Sequence, residues 1–238
     1  MVQNSEKSEM CLKYCFGKTQ WQSYFGDIGD FGNIGGIGGI APLPNNMDAI
    51  LQSPCPIWEG KKTWETHKLF LVPKSVEGKP LNLDLIGEMV QVPKQGHKAE
   101  YLYYSGPVKA DIGDSSVEKA HWCLMTKDII PGSTDKDFRD QCSFMDDLRH
   151  RLDLPYAIPS TTEATLCVFL HYVETGERIF ARNDAQMRWT FTRCSDEVSA
   201  EHWAVAVGGF ESRGLLVYRS PDYLFDRHFA GVAGVRRF

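Results

Sequence analysis

The 238-residue sequence predicts an α+β fold, and three observations point there. Helical periods concentrate in the middle of the chain, and strand-like apolar runs crowd the last third. Strand and helix never alternate regularly enough to suggest a doubly wound parallel sheet. Hydrophobic residues at 42% and charged residues at 24% are ordinary globular proportions. A chain of this length buries a core without disulfide or metal staples. The expected organisation is an N-terminal segment over residues 1–40 and a single α+β domain over 41–238.

Residues 1–20 show no long period. From Ile28 the chain becomes a tripeptide repeat: Ile28, Phe31, Ile34, Ile37 and Ile40 recur every third residue, with glycine after each of the first four. A period of three suits neither a strand nor an α-helix. It fits a glycine-rich linker, or an extended strap with its apolar residues on one edge that hugs the body or mediates assembly. No Lys-Ser/Thr follows the glycines, so the stretch is not a phosphate loop.

Asn45–Gln52 predicts a short helix capped by Asn45 or Asn46, stopped by Ser53-Pro-Cys-Pro56. Thr66–Val72 predicts a strand closed by Pro73. Leu81–Val90 predicts a helix with Leu81, Leu85 and Met89 on one face. His121–Thr126 predicts a second apolar strand. After the turn Pro131–Asp135, the spacing of Phe138, Cys142, Met145, Leu148 and Leu152 predicts a longer helix. The strongest start signal is Ser160-x-x-Glu163, a capping box after Pro159. It opens a helix with Ala164, Cys167, Val168 and His171 on one face and Gly176 as a fitting C-cap. Trp189–Cys194, Trp203–Val207, Leu215–Tyr218 and Gly231–Phe238 then read as strands.

Charge and composition exclude several roles. Lys+Arg of 26 against Asp+Glu of 31 gives a net charge of −5, which lacks the basic footprint that nucleic acid or anionic lipid demands. The first ten residues have no apolar core of a secretory signal, and no run is long and apolar enough to span a membrane. Seven irregularly spaced cysteines suggest reduced thiols rather than a disulfide framework. The expected location is cytoplasmic, or a host cell reached by a signal-peptide-independent route.

Candidate chemistry is sparse. Cys55 lies between two prolines, three residues after Gln52 and twelve before His67, while His202 opens a strand-like run resembling the histidine strand of papain-like proteases. A thiol paired with an imidazole and an amide oxyanion donor is the minimum for a cysteine-dependent hydrolase or transferase. The glycine and tryptophan setting of that family's nucleophile is missing, however, and Pro56 removes a backbone donor, so a buried structural thiol is the stronger reading. His121-x-Cys123 and Cys11-x3-Cys15 are close pairs, but no C-x2-C element completes a tetrahedral set, so no metal and no cofactor are expected. Asp146-Asp147 beside Arg149, His150 and Arg151 reads as a solvated helix face. Trp58, Trp64, Tyr101, Tyr103 and Tyr104 read as core or half-buried packing, with a ligand surface as the alternative.

Two resemblances follow from longer segments. Phe16–Asp27, Ser53–Trp58, Glu65–His67, Leu124–Asp128 and Gly231–Phe238 resemble a family of chlamydia-like bacteria that brings no assigned activity. More distantly, Asp135–Gly176 resembles the centre of formylglycine-generating-enzyme-like (sulfatase-modifying-factor) domains. Leu154–Ala164 stands for their Gly-x-x-Tyr-Arg-Leu-Pro-Thr-Glu-Ala run, Val207–Phe210 for their Gly-Gly strand, and Gly234–Arg236 for their terminal Gly-Phe-Arg. That resemblance implies a C-type-lectin-like fold, two helices on a small irregular antiparallel sheet.

The chain also departs from that family. Two extra residues separate Pro159 from Glu163, and Leu166 replaces a tryptophan. No cysteine occurs from Phe210 to Phe238, where the family's oxidases bind copper through thiolates, so formylglycine-forming activity is not expected. The resulting expectation is a non-catalytic module that recognises a protein or carbohydrate through its C-terminal loops. Glu211, Arg213, Asp222, Tyr223, Arg227 and His228 are the candidate contacts. Self-association is the further option for the glycine-rich strap.

Overall fold

In the computed structural model, which describes residues 14–29, 43–183, 188–198, 203–220 and 228–238, the chain is mixed α+β. Its first part holds β1 (Cys15–Phe16), α1 (Lys18–Tyr24), α2 (Met47–Gln52), α3 (Thr63–Thr66), β2 (His67–Val72), β3 (Ser75–Val76) and β4 (Lys79–Pro80). The middle holds α4 (Leu83–Gln91), β5 (Tyr101–Tyr104), α5 (Gly106–Ile112), β6 (His121–Thr126), α6 (Phe138–Leu152) and α7 (Thr161–Thr175). The remainder holds β7 (Arg182–Asn183), β8 (Arg188–Trp189), β9 (Phe191–Val198), β10 (Trp203–Glu211), β11 (Gly214–Arg219), β12 (Ala230–Gly231) and β13 (Val235–Arg237).

Two sheets follow from the apolar runs. All six residues of β2 are buried, as expected of a strand covered on both faces. It pairs antiparallel with β6, His67 opposite Thr126, and parallel with β1; β6 in turn takes β13, giving the order β1-β2-β6-β13. The second sheet is an antiparallel β9-β10-β11 meander, extended by β12 parallel to β9 and by β5 parallel to β11. Register shifts near Ala204–Ala206 and Gly208–Glu211 make it irregular, and such bulges bend a strand and sharpen its twist.

Helix α7 is the centre of the core. It packs on β2 of the first sheet and on β9 and β10 of the second. Residues 163–171 are all buried, which matches a sequence apolar on nearly every side. The capping box forms as expected: Ser160 Oγ accepts from the Glu163 N–H at 3.2 Å, and Glu163 Oε2 accepts from the Ser160 N–H at 2.7 Å. Gly176 ends the helix at φ +75°, a conformation that favours glycine. Helix α6 covers a separate cluster built from Ile130, Met145, Leu148, Tyr156, Ile158 and Val232.

One expectation is corrected, the face that the helix near Leu81–Val90 buries. The described part of the N-terminal segment packs against the body. Phe16, Trp21, Phe25 and Ile28 are buried in the main core, β1 joins the first sheet, and the Trp21 indole donates to the Leu71 carbonyl at 2.9 Å. Of the glycine repeat, Ile28 is seen buried, and Phe31 to Ile40 lie outside the described residues. Helix α4 buries Leu83, Ile86 and Val90, leaving Leu85 and Met89 only partly covered. Tyr101 and Tyr104 are strand residues packed ring to ring at 4.9 Å, and the Tyr101 hydroxyl donates to the Leu83 carbonyl at 3.0 Å.

Candidate functional site

Cys55 and His67 are brought close by the same local fold. The Cys55 N–H donates to the Lys61 carbonyl at 2.7 Å, closing a loop that leads into α3 and then β2. The Thr66 hydroxyl lies 3.2 Å from Cys55 Sγ and 2.8 Å from His67 Nδ1, while His67 Nε2 meets the Tyr156 hydroxyl at 2.9 Å. A threonine therefore stands between thiol and imidazole, and both ring nitrogens are engaged by hydroxyls. Burial lowers the His67 pKa to about 3, with Arg236 and Lys127 adding to the effect, so the ring is a neutral, weakly basic group. Gln52 is exposed at the end of α2. His202 lies outside the described residues.

The expected C-terminal contacts divide. Asp222, Tyr223 and Arg227 lie outside the described residues. Glu211 and Arg213 sit at the β10–β11 turn, where Arg213 donates to Glu211 Oε1 at 2.7 and 3.1 Å. Glu211 rims a hollow of about 240 Å³ that Tyr172, Arg178, Lys98 and Glu100 also line. His228 pairs instead with Asp135 and leads into β12, so β9 lies between its strand and the one that ends at Glu211.

A larger cleft of about 440 Å³ opens beside that hollow. Trp58 and Thr66 form part of its wall, Lys61, Glu65, Lys127 and Asp128 supply charge, and Glu177 with Arg178 enters from beyond α7. The Lys127 N–H donates to the Thr66 carbonyl at 2.8 Å, which ties the end of β6 to α3. Partial burial lowers the Lys127 pKa, and although the Asp128 side chain opens to solvent, its neighbours strip enough water to raise it. Arg178 borders both hollows. Its guanidinium lies 4.7 Å from the Tyr172 ring centre and 5.5 Å from that of Phe210. It donates to the Tyr172 hydroxyl and the Glu211 carbonyl, both at 3.1 Å. Phe180, in the cleft wall, holds φ at +48°, a strained value for a bulky L-residue. Of these residues the sequence singled out Trp58, Glu65 with Thr66, and the Leu124–Asp128 segment; Arg178 carried no local signal.

A third constellation joins the start of α7 to β6 and β13. Glu163 Oε1 accepts from Arg237 Nε at 2.6 Å and meets His121 Nε2 at 2.9 Å and Cys123 Sγ at 3.4 Å. Glu163 Oε2 accepts from the Ser160 N–H and from Arg237 NH2, the latter at 2.6 Å. Burial alone would raise the Glu163 carboxyl, yet the bonds from His121 and Arg237 hold it well below the usual carboxylate range. Burial and the adjoining carboxylate push the Cys123 thiol upward. One donor atom from each of His121, Cys123 and Glu163 lies within 4.8 Å of the others. Spacing in the sequence puts no further donor beside His121-x-Cys123, whereas the fold brings Glu163 next to the pair.

Comparison with protein-family models, curated proteins and solved structures gave no match.

Proposed function

We propose that the protein is a non-catalytic binding module whose ligand is a carbohydrate or similarly polyhydroxylated molecule seated in the cleft between Trp58 and Arg178. The observation that carries this reading is the strained Phe180 backbone in the wall of a cleft rimmed by both signs of charge. Strain of that kind persists where the surrounding structure fixes it, and it clusters at ligand sites. Three cations (Lys61, Lys127 and Arg178) face three carboxylates (Glu65, Asp128 and Glu177) around one indole. Donors and acceptors together match hydroxyl groups better than they match a single charge, and an indole suits the apolar side of a sugar ring. Arg178 is held by two rings and two hydrogen bonds, so little freedom remains to be lost on binding.

The C-type-lectin-like architecture belongs to the same proposal. It is supported by the irregular antiparallel β9-β10-β11 meander with α7 packed against it. The β10–β11 turn with Glu211 and Arg213 would then form the outer rim, extending contact from the cleft into the smaller hollow. Saturation-transfer NMR against an oligosaccharide panel tests the reading. A hit should be lost in Trp58→Ala and in Arg178→Ala while both variants keep their circular dichroism. A panel without hits, or a hit indifferent to both substitutions, rejects it.

The cysteine-dependent hydrolase or transferase remains a second reading because Thr66 lines the cleft and touches both Cys55 and His67. It requires Cys55 to be the fastest thiol toward a limiting alkylating agent.

A further inference from the structure

We propose that His121, Cys123 and Glu163 form a binding site for a transition-metal ion of the Zn²⁺ class, with the Arg237 guanidinium as the internal cation the metal displaces. The donor set is imidazole nitrogen, thiol sulfur and carboxylate oxygen, the mixture that Zn²⁺ accepts and that hard cations such as Mg²⁺ or Ca²⁺ do not favour. Its members sit on rigid elements. His121 and Cys123 are two apart on β6 and share one face of the strand, and Glu163 is fixed in the first turn of α7 by its capping bond.

The spacing is close to what coordination needs. Metal–ligand distances of about 2.0 to 2.3 Å at tetrahedral angles place ligand atoms roughly 3.3 to 3.5 Å apart. Here Glu163 Oε1 is 2.9 Å from His121 Nε2 and 3.4 Å from Cys123 Sγ. An independent sign is the other nitrogen of the same ring. His121 Nδ1 lies 3.0 Å from the Lys119 carbonyl, the outer-shell bond by which ligating histidines are oriented. With Nδ1–H donated there, Nε2 is the atom aimed at the cluster.

Arg237 explains how the same residues hold together without metal. Its guanidinium neutralises the buried carboxylate, but its side chain is 41% exposed, so a metal that takes over the carboxylate leaves it a path into water. Coordination would then replace the thiol proton, and the Nε2 proton where His121 is charged. One or two protons pass to solvent per metal bound, and no redox partner is involved. Three protein ligands plus the place vacated by Arg237 leave a fourth position for water, the pattern of an open rather than a closed zinc site.

The test uses the full chain in metal-free buffer, with Co²⁺ as the spectroscopic probe and Zn²⁺ as its displacer. Binding through Cys123 gives a thiolate-to-cobalt charge-transfer band and the visible bands of a tetrahedral centre. Removing the competing charge in Arg237→Gln is expected to tighten Co²⁺ binding by about 10-fold, the equivalent of one ordinary ion-pair interaction. Cys123→Ser should abolish the charge-transfer band, and His121→Gln should weaken binding at least as much as Arg237→Gln tightens it. The proposal is overturned if neither the native chain nor Arg237→Gln gives the band. It is equally overturned if the band survives in Cys123→Ser, since another thiol would then be the ligand.

Discussion

Acid should destabilise this protein through His67 in a way a single substitution removes. The imidazole is 3% exposed, engaged at both nitrogens by hydroxyls, and faces Arg236 and Lys127 rather than a carboxylate. Its pKa is about 3 in the folded chain, against about 6.5 for an ordinary histidine. Because the folded value is the lower one, the unfolded chain binds the proton first. Stability is therefore full above the unfolded value and falls as pH drops from about 6.5 toward about 3. At about pH 5 the unfolded imidazole is almost fully charged and the folded one is neutral, which costs about 2 kcal/mol relative to neutral pH. That figure hardly depends on the folded value, since any folded pKa below about 4 gives the same result at about pH 5. The assay is urea unfolding at about pH 7 and about pH 5 for the native chain and for His67→Gln, whose amide still reaches the Tyr156 hydroxyl but does not titrate. Subtracting the two pH effects cancels the contributions of the carboxylates and of His171, a second buried histidine, lowered to about 4. If the native chain and His67→Gln lose the same stability between the two conditions, the imidazole is not held neutral and the account of this cluster fails.

Three further outcomes follow from the same packing. Glu163→Ala strands the Arg237 guanidinium and removes one of the two capping-box bonds of α7, and it should lower unfolding stability by about 3 kcal/mol in a urea titration, the lower end for a buried pair because Arg237 can turn to water. Gly209 holds φ at +56°, and a Cβ there would come within 2.5 Å of the Trp189 ring and 2.6 Å of Leu216. Gly209→Ala should therefore cost about 2 to 4 kcal/mol, read from the same titration. Cys142 is the thiol among the described residues that is not buried, so a limiting alkylating agent should label it before Cys55, as peptide mapping would reveal. Burial and the nearby Asp146 and Glu197 raise the Cys142 thiol, and its labelling rate should still be climbing above neutral pH.

Where a signal is local, the sequence carried it. The Ser160–Glu163 box, the Asn46 start of α2, the strand His121–Thr126 and the helix opened by Phe138 all depend on residues within a few positions of one another. The face of α4 was not legible for a definite reason. Leu81, Leu83, Leu85, Ile86, Met89 and Val90 supply apolar residues on more than one side, so period alone selects no face. The choice is made by the Asn82 cap, whose side chain accepts from the Leu85 N–H at 2.8 Å, and by packing on α7. Likewise the strand Tyr101–Tyr104 has no local signature because its partner is β11, more than a hundred residues later and parallel to it. Cys15–Phe16 is too short to register as a strand until β2 lies beside it.

The candidate sites show the same division, and Glu163 shows why. As the third residue of a capping box it reads as a local helix signal, and such carboxylates ordinarily meet solvent. Here α7 runs between two sheets, so its first turn is buried and the Glu163 side chain is only 3% exposed. An ionised carboxylate at that depth needs compensating charge, which must come from whatever strand passes the helix start. The passing strands are β6 and β13, and they bring His121 and Arg237. β13 is held from its other side as well, because Ala157 and Val235 exchange two backbone bonds of 2.9 Å. The burial of one cap thus anchors the C-terminal strand and makes a three-donor cluster out of His121-x-Cys123, a pair that carries too little by itself. Neither consequence can be read from spacing, because both depend on how deep α7 lies.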